Sequence, residues 1–133
     1  MAFEFPIRVY WEDTDAGGIV FYANYLKFYE RARTEWLRSL GLEQQKLREQ
    51  TGGMFVVTQA QVDYHRPARL DDQLLVTARL QASGRASLTI RQQAFLQSTT
   101  GALLSEASIR IGWVNGANMR PTRIPISLLE QLS

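Results

Sequence analysis

The sequence predicts an α+β fold in which one long helix packs against a five-stranded antiparallel sheet. One segment has the three- and four-residue spacing of an amphipathic helix, and it follows a segment with the two-residue alternation of a strand. Four further strand-like segments come after the helix. The last two connections between them are short, which favours antiparallel hairpins. A single helix against one antiparallel sheet defines the α+β class.

Composition is typical of one globular domain, residues 1–133, with 45% hydrophobic and 21% charged residues. No apolar run approaches the roughly 18 residues of a membrane span, and the N-terminus lacks the pattern of a secretory signal. Zero cysteines exclude disulfides, a thiolate nucleophile and cysteine-ligated metal. A formal charge of +2 gives no argument for nucleic acid. We therefore expect a cytoplasmic protein with neither a membrane span nor a nucleic-acid partner.

The spacing of apolar residues changes from two-residue alternation to three- and four-residue steps, which predicts a first strand followed by a helix. Ile7, Val9 and Trp11 alternate with more polar neighbours, as on the buried face of a strand. The helix is expected from about Ala23 to Leu40, before a glycine at position 41 that is suited to ending it. Seven residues form its apolar face: Tyr25, Phe28, Tyr29, Ala32, Trp36, Leu37 and Leu40.

The remaining strands follow a polar connector at 43–53 that is helical in part. They are predicted at Met54–His65, Gln73–Gln81, Ser87–Gln97 and Leu103–Val114. We expect these four to form a meander and the tail to end in a short helical turn. No remaining element covers the second face of the sheet. Because a broad apolar face marks an interaction surface, we expect self-association through the sheet.

The residues best suited to catalysis are concentrated in EDTDAGGIVFYANYLKFYERAR, Glu12 to Arg33. Its carboxylates have two interpretations on local chemistry, a helix cap or a ligand site. The helix face begins too far downstream for Asp15 to be a simple N-cap, and Gly17 and Gly18 leave the backbone unshielded. Exposed N–H groups at a helix start can hold an anion or a developing oxyanion. A carboxylate beside them is the minimum apparatus for attacking or hydrating an activated acyl group.

Other reaction classes lack their motifs. The sequence contains no GxSxG, Walker-type loop, GxGxxG or HExxH. With His65 as the single histidine, a zinc site would need carboxylates for nearly all its ligands, so no metal is expected. We interpret His65, near a strand end beside Arg66 and Pro67, as a structural or surface residue.

The segment VYWEDTDAGGIVFYANYLKFYERARTEWL resembles the start of the hotdog-fold acyl-CoA thioesterases of the 4-hydroxybenzoyl-CoA thioesterase class. It is most similar to the Tol–Pal-associated acyl-CoA thioesterase subgroup. VDYHRPARLDDQLLV and MRPTRIP resemble that subgroup too, so the resemblance covers nearly the whole chain. It implies a hotdog fold and hydrolysis of acyl-CoA to free acid and CoA, with no cofactor beyond the CoA of the substrate. It also implies a homodimer or homotetramer with active sites at a dimer interface, and acyl carrier protein is a second candidate partner.

The resemblance implies that Asp15 is the catalytic carboxylate, with Asp13 as its structural neighbour. Backbone N–H groups around Tyr22 would polarise the thioester carbonyl, and Gly18 belongs to the same predicted catalytic set. The subgroup often carries a histidine where this chain has Tyr22, so a mechanism that needs that histidine is not expected here. The backbone donor is independent of the side chain. Four residues match positions where the family binds the CoA nucleotide: Arg85, Ser87, Arg120 and, more weakly, Arg123.

Two other functions are compatible with the fold. The first is a non-catalytic module that binds acyl-CoA or acyl carrier protein, although binding would not require the Asp15–Gly18 unit. The second is hydratase or dehydratase chemistry, which usually needs a histidine paired with an acid. For hydrolysis itself, Asp15 is either the nucleophile or the general base.

Overall fold

A computed structural model describes residues 2–133 of the protein. Over that range the chain forms five strands, three α-helices and two short 3-10 turns at Trp11–Asp13 and Tyr22–Asn24. The regular elements, in chain order, are β1 Phe3–Arg8, α1 Tyr25–Ser39, α2 Gln44–Thr51, β2 Gly53–Tyr64, β3 Gln73–Ser83, β4 Ser87–Leu96, β5 Leu103–Asn115 and α3 Ile126–Leu132. Every predicted element is present, and most bounds differ from the prediction by one or two residues.

The long helix packs its apolar face on one side of the sheet. Six of the seven predicted face residues are buried, and Leu40 is partly buried against the same core. The sheet contributes alternate residues, including Leu74, Val76, Ile90 and Ile109, all nearly inaccessible. The predicted hotdog fold, one long helix packed against a five-stranded antiparallel sheet, is confirmed.

A buried glutamine ties the helix to the sheet. Gln92, in β4, is fully buried, and its Nε2 donates to the backbone oxygens of Tyr29 at 3.0 Å and Thr77 at 3.2 Å. Its Oε1 accepts from Arg33 Nη1 at 3.0 Å. A buried amide is costly unless it is hydrogen-bonded. The contacts of Gln92 therefore favour one position of α1 on the sheet.

The prediction of a four-strand meander is wrong. The sheet order is β1-β3-β4-β5-β2, so only β3, β4 and β5 form a meander. β2 pairs with β5, from Gly53 opposite Asn115 to Tyr64 opposite Ser105. The connection from β2 to β3 is too long for a tight hairpin, and it carries the chain to the opposite half of the sheet. β1 and β2 are consequently the two edges.

The prediction that Trp11 lies on the buried face of the first strand is also wrong. Ile7 and Val9 are buried, but β1 ends at Arg8 and the chain enters a 3-10 turn at Trp11. Trp11 is 83% exposed as a result. The turn forms because the buried carboxylate of Asp13 accepts a hydrogen bond from the N–H of Tyr10 at 2.8 Å.

The outward face of the sheet is polar toward the β3–β4 turn, so it is not the broad apolar face that was expected. A depression of about 310 Å³ opens there, lined by Gln59, Gln61, Ala82, Ser83, Gly84, Ser87, Thr89, Ser108 and Arg110. Strand alternation sends these mainly polar residues outward and the apolar ones toward α1. The free edge of β2, twelve residues long, is the feature that remains suited to pairing with another chain.

No helix within residues 2–133 has the length and apolar character needed to cross a membrane.

Candidate active site

Asp15 stands on a tight loop that joins β1 to the helix. Residues Thr14 and Val20 pair as an antiparallel bridge, and the loop between them is closed by two backbone hydrogen bonds. Asp15 N donates to Ile19 O at 2.9 Å, and Gly18 N donates to Asp15 O at 3.0 Å. Gly18 has φ of 75°, a conformation that costs glycine little. The N–H of Gly18 is thus used within this segment, which we call the Asp15 loop (Thr14–Val20).

The carboxylate of Asp15 is exposed, and only one of its two oxygens accepts a hydrogen bond. Oδ1 accepts from Gly17 N at 2.8 Å, while Oδ2 has no hydrogen-bond partner among residues 2–133. A Cβ atom at position 17 would lie 3.2 Å from Oδ1, closer than most side chains tolerate. The glycine therefore leaves space directly beside the carboxylate, and Oδ2 is available for chemistry.

Asp13 has the opposite environment. It is 4% exposed; Oδ2 accepts from Tyr10 N at 2.8 Å and Oδ1 from Asn24 Nδ2 at 2.9 Å. Asn24 directly precedes α1, so the Asp13 carboxylate ties the end of β1 to the start of the helix. These contacts support the interpretation of Asp13 as a structural carboxylate.

The turn before α1 presents backbone N–H groups without internal acceptors. Phe21 N donates to Asp13 O at 3.0 Å and Asn24 N donates to Phe21 O at 2.8 Å. Between them, Tyr22 N–H and Ala23 N–H have no acceptor in the part of the chain that the structure describes. Free N–H groups are expected in the first turn of a helix. They lie on the segment predicted to polarise a carbonyl.

Tyr64, at the end of β2, is a site residue that the sequence reasoning missed. Its hydroxyl donates to the backbone oxygen of Tyr22 at 2.8 Å, and its ring lies edge-on to Tyr22 and Tyr25 with centroid distances of 6.2 and 5.5 Å. Partial burial, then the neighbouring Tyr22, raises the pKa of the Tyr64 hydroxyl, which keeps it protonated as a donor. In the sequence, the one indication of a role for Tyr64 is its position within VDYHRPARLDDQLLV, a segment that resembles the thioesterase subgroup.

From the sequence, four aromatic residues could either belong to the core or line an acyl pocket: Phe21, Tyr22, Tyr25 and Phe55. Tyr25 and Phe55 are 3% and 7% exposed and belong to the core. Phe21 and Tyr22 are 46% and 63% exposed and lie beside the free N–H groups. Only the second pair is available to contact a ligand in a single chain.

The predicted CoA-binding residues lie at the other end of the sheet. Arg85 lies in the β3–β4 turn and Ser87 begins β4. Ile124 N donates to Arg85 O at 2.8 Å, which brings the tail against this turn. Asn115 N donates to Arg120 O at 2.9 Å. Arg85, Arg120 and Arg123 are all exposed. We call this end of the molecule the arginine end (residues 84–87 and 120–124).

One chain does not bring the arginine end to Asp15. The Asp15 loop contacts the middle of the β2–β3 connection, where Val20 N donates to Ala68 O at 2.9 Å. β3 then runs for 11 residues to the arginine end. At about 3.3 Å per residue, the two ends are roughly 30 Å apart.

His65 takes part in a surface network. Its Nε2 lies 2.7 Å from Glu106 Oε2, and the same carboxylate pairs with Arg91. These contacts fit the interpretation of a structural or surface histidine. Within residues 2–133 no three His, Cys, Asp or Glu side chains are grouped so that they could hold a metal ion.

The fold agrees with comparisons to known proteins. The model of the thioesterase superfamily matches residues 17–102. The chain belongs to this superfamily.

The individual relatives are described by a more specific activity than the superfamily. The chain is 42% identical over 123 residues to the acyl-CoA thioesterase YbgC of Haemophilus influenzae, covering 92% of this chain and 88% of that protein. It is 40% identical to the acyl-CoA thioester hydrolase YbgC of Escherichia coli, covering 97% and 94%. A probable thioesterase of Bartonella henselae, whose crystal structure is known, matches with a TM-score of 0.86 and 31% identity, covering 94% of this chain and all of that one.

Proposed function

We propose that the protein hydrolyses acyl-CoA thioesters to a free acid and CoA. The carrying observation is the exposed Asp15 carboxylate with a free Oδ2, in the segment that also presents the N–H groups of Tyr22 and Ala23. The thioesterase activity of the relatives from H. influenzae and E. coli supports the same reaction. A cytoplasmic location and a reaction without an added cofactor are parts of this proposal.

The proposed hydrolysis has two possible routes, and both begin with negative charge developing on the thioester carbonyl oxygen. In one, Asp15 Oδ2 attacks the thioester carbon, CoA thiolate leaves and takes a proton from solvent, and water hydrolyses the resulting anhydride. In the other, Asp15 takes a proton from water as that water attacks the carbon; the C–S bond then breaks and the departing CoA thiolate takes up a proton. Both place negative charge on the carbonyl oxygen, which the backbone N–H groups of Tyr22 and Ala23 would receive. The protein's contribution is a placed carboxylate and preorganised donors.

We further propose that the complete site forms between two copies of the chain. If the free edges of two β2 strands pair antiparallel about a two-fold axis, the Tyr64 end of one copy meets the Gly53 end of the other. Gly53 pairs with Asn115, beside the arginine end. The arrangement would bring the arginines of one copy toward the Asp15 loop of the other. Arginine forks there would bind the CoA phosphates. A homodimer is the smallest assembly that satisfies this geometry, and a homotetramer contains two such dimers.

The first test is a release assay with 5,5′-dithiobis(2-nitrobenzoic acid) over acetyl-, octanoyl-, palmitoyl- and benzoyl-CoA and one acyl carrier protein thioester. We expect thiol release with at least one CoA thioester. Tight binding without hydrolysis of any of them would contradict the proposal and favour the non-catalytic binding module. The order of rates over the panel would define the acyl preference.

Mixed assemblies test the site between two copies. We would co-express Asp15→Asn with the triple variant Arg85→Ala, Arg120→Ala, Arg123→Ala under different tags and purify the mixed form. In a two-chain site, one active site per mixed dimer has both an intact aspartate and intact arginines. We therefore expect about half of the wild-type kcat/KM, whereas the triple variant alone should lose about 10-fold or more.

Each parent purified alone is the control for this experiment. Activity of the mixed form no greater than the sum of the parents would contradict a site shared between chains. It would leave hydrolysis by Asp15 untouched, because the panel assay tests that separately.

A further inference from the structure

Arg48, in the last turn of α2, has an exposed guanidinium group. Within residues 2–133 its side chain donates no hydrogen bond and forms no salt bridge, whereas five other arginines donate to protein oxygens: Arg8, Arg33, Arg38, Arg91 and Arg110. A cation near the C-terminal end of a helix is favoured by the helix dipole. The dipole accounts for the charge of Arg48 but uses none of its N–H donors, which are available to a ligand.

The side chain of Arg48 lies beside the loop that leads from β5 to Arg120. Gly116, in this loop, donates its N–H to Gly52 O at 2.8 Å, directly after α2. A Cβ atom at position 116 would lie 3.1 Å from Gly52 O and 3.5 Å from Arg48 Nε. The glycine therefore permits close packing of the loop on the end of α2, and Arg48 extends the positive charge of the arginine end toward β2.

The end of α2 leads directly into β2, the free edge of the sheet. In the proposed dimer the Gly53 end of one copy meets the Tyr64 end of the other, close to the Asp15 loop. An acyl-CoA that reaches from the Asp15 loop to the arginine end of the other copy passes the start of that copy's β2. Arg48 lies there, between the reacting thioester and the predicted nucleotide-binding residues.

A depression of about 570 Å³ opens beside Arg48, lined by Gln44, Gln45, Arg48, Glu49 and Met54. Its groups match the parts of CoA that follow the thioester. The pantetheine arm carries a hydroxyl and two amides, which can form hydrogen bonds with the glutamine amides and the Glu49 carboxylate. Phosphate requires a cation, and the arginine fork can bind two of its oxygens at once. Arg48 is the cation among these five residues.

We infer that Arg48 binds a CoA phosphate of the substrate whose thioester lies at the Asp15 loop of the neighbouring copy. The inference rests on the proposed function and on the site shared between two chains. It adds a residue of α2 to the predicted CoA-binding set.

The first test compares Arg48→Ala with Lys46→Ala. Both variants remove a cation from α2, but Lys46 pairs with Glu43 at 3.5 Å and lines a separate depression between α2 and α3. With each acyl-CoA that the wild type hydrolyses, we expect Arg48→Ala to raise KM about five-fold or more and to keep kcat within about two-fold. Lys46→Ala should keep both constants near wild type.

A truncated substrate separates phosphate binding from a general change of the fold. The acyl-pantetheine thioester has the same acyl group and no phosphate. We expect Arg48→Ala and wild type to have the same kcat/KM for it. Added KCl should raise the KM for acyl-CoA more steeply in the wild type than in Arg48→Ala. An equal loss of kcat/KM with both substrates would contradict a phosphate contact.

Mixed dimers, purified through two tags, show in which site Arg48 acts. Asp15→Asn paired with Arg48→Ala leaves one intact aspartate, and the two-chain site combines it with the intact Arg48 of the other chain. Wild type paired with the double variant Asp15→Asn, Arg48→Ala combines the intact aspartate with the altered position 48. We expect a wild-type KM in the first mixture and the raised KM in the second.

A KM for Arg48→Ala within about two-fold of wild type would overturn the inference. The reverse order of KM in the two mixtures would place Arg48 in the site of its own chain, which also contradicts it. Both results leave hydrolysis by the wild type established. If the wild type hydrolyses no thioester in the panel, the proposed function fails first, so the two failures are distinguishable.

Discussion

Replacement of Asp15 by Asn is expected to lower kcat by about 10³-fold or more, while KM changes little. Asparagine keeps an oxygen that can accept from Gly17 N–H, so the Asp15 loop should retain its shape. It can neither attack the thioester carbon effectively nor take a proton from water. Steady-state kinetics by thiol release measure the first effect. Binding of a non-hydrolysable acyl-CoA thioether, by calorimetry, measures the second.

The matched control is Glu12→Gln. Glu12 is exposed on the same segment, and its charge is lost by the same change of one oxygen to an amide. We expect kcat within about two-fold of wild type because surface substitutions are usually near neutral. Near wild-type turnover in Asp15→Asn would show that the assignment of the carboxylate is incorrect.

If the wild type is active, a single-turnover reaction in H₂¹⁸O tests whether Asp15 attacks the thioester carbon or activates water. Label found in the Asp15 carboxylate would indicate attack through an anhydride. Absence of label from Asp15 would count against attack, although water opening the anhydride at the acyl carbon would also place label in the free acid.

Replacement of Asp13 by Ala is expected to have the largest effect on stability. It removes the acceptor from two donors in a buried place, Tyr10 N–H and Asn24 Nδ2, and each unsatisfied donor costs about 1–3 kcal/mol. The free energy of unfolding should fall by about 3 kcal/mol, and the Tm by roughly 10 °C. Urea unfolding followed by circular dichroism measures this change. Turnover should fall too, because the turn that presents the N–H groups loses its anchor.

Glu12→Ala is the control for this prediction, since it removes an adjacent carboxylate without a buried donor. It should change the free energy of unfolding by less than about 0.5 kcal/mol. Equal destabilisation by the two variants would contradict the division of the acids into a structural Asp13 and an exposed neighbour.

The catalytic candidate and its structural neighbour differ in the structure by burial, not by residue type. Both are aspartates two positions apart, and the sequence pattern alone leaves open which is anchored. Asp13 lies where the segment turns inward toward Asn24, whereas Asp15 is the first residue of an exposed turn closed by its own backbone. The resemblance selected Asp15, and the observed exposure of its Oδ2 supports that choice.

The sequence by itself determined the helices and strands of this protein, because their periodicity is a property of neighbouring residues. Such local patterns identify the apolar helix face from Tyr25 to Leu40. They also identify the double glycine after Asp15. Likewise, the single histidine and the lack of cysteine limit the possible chemistry through composition alone.

Only the tertiary structure decided how distant segments meet. It placed β2 beside β5, turned Trp11 out to solvent and put the arginine end far from the Asp15 loop. It also brought the Tyr64 hydroxyl to Tyr22 across 42 positions of the chain. Such contacts depend on the order and curvature of the whole sheet. Because that geometry is fixed by the packing of many elements at once, no local pattern of residues specifies it.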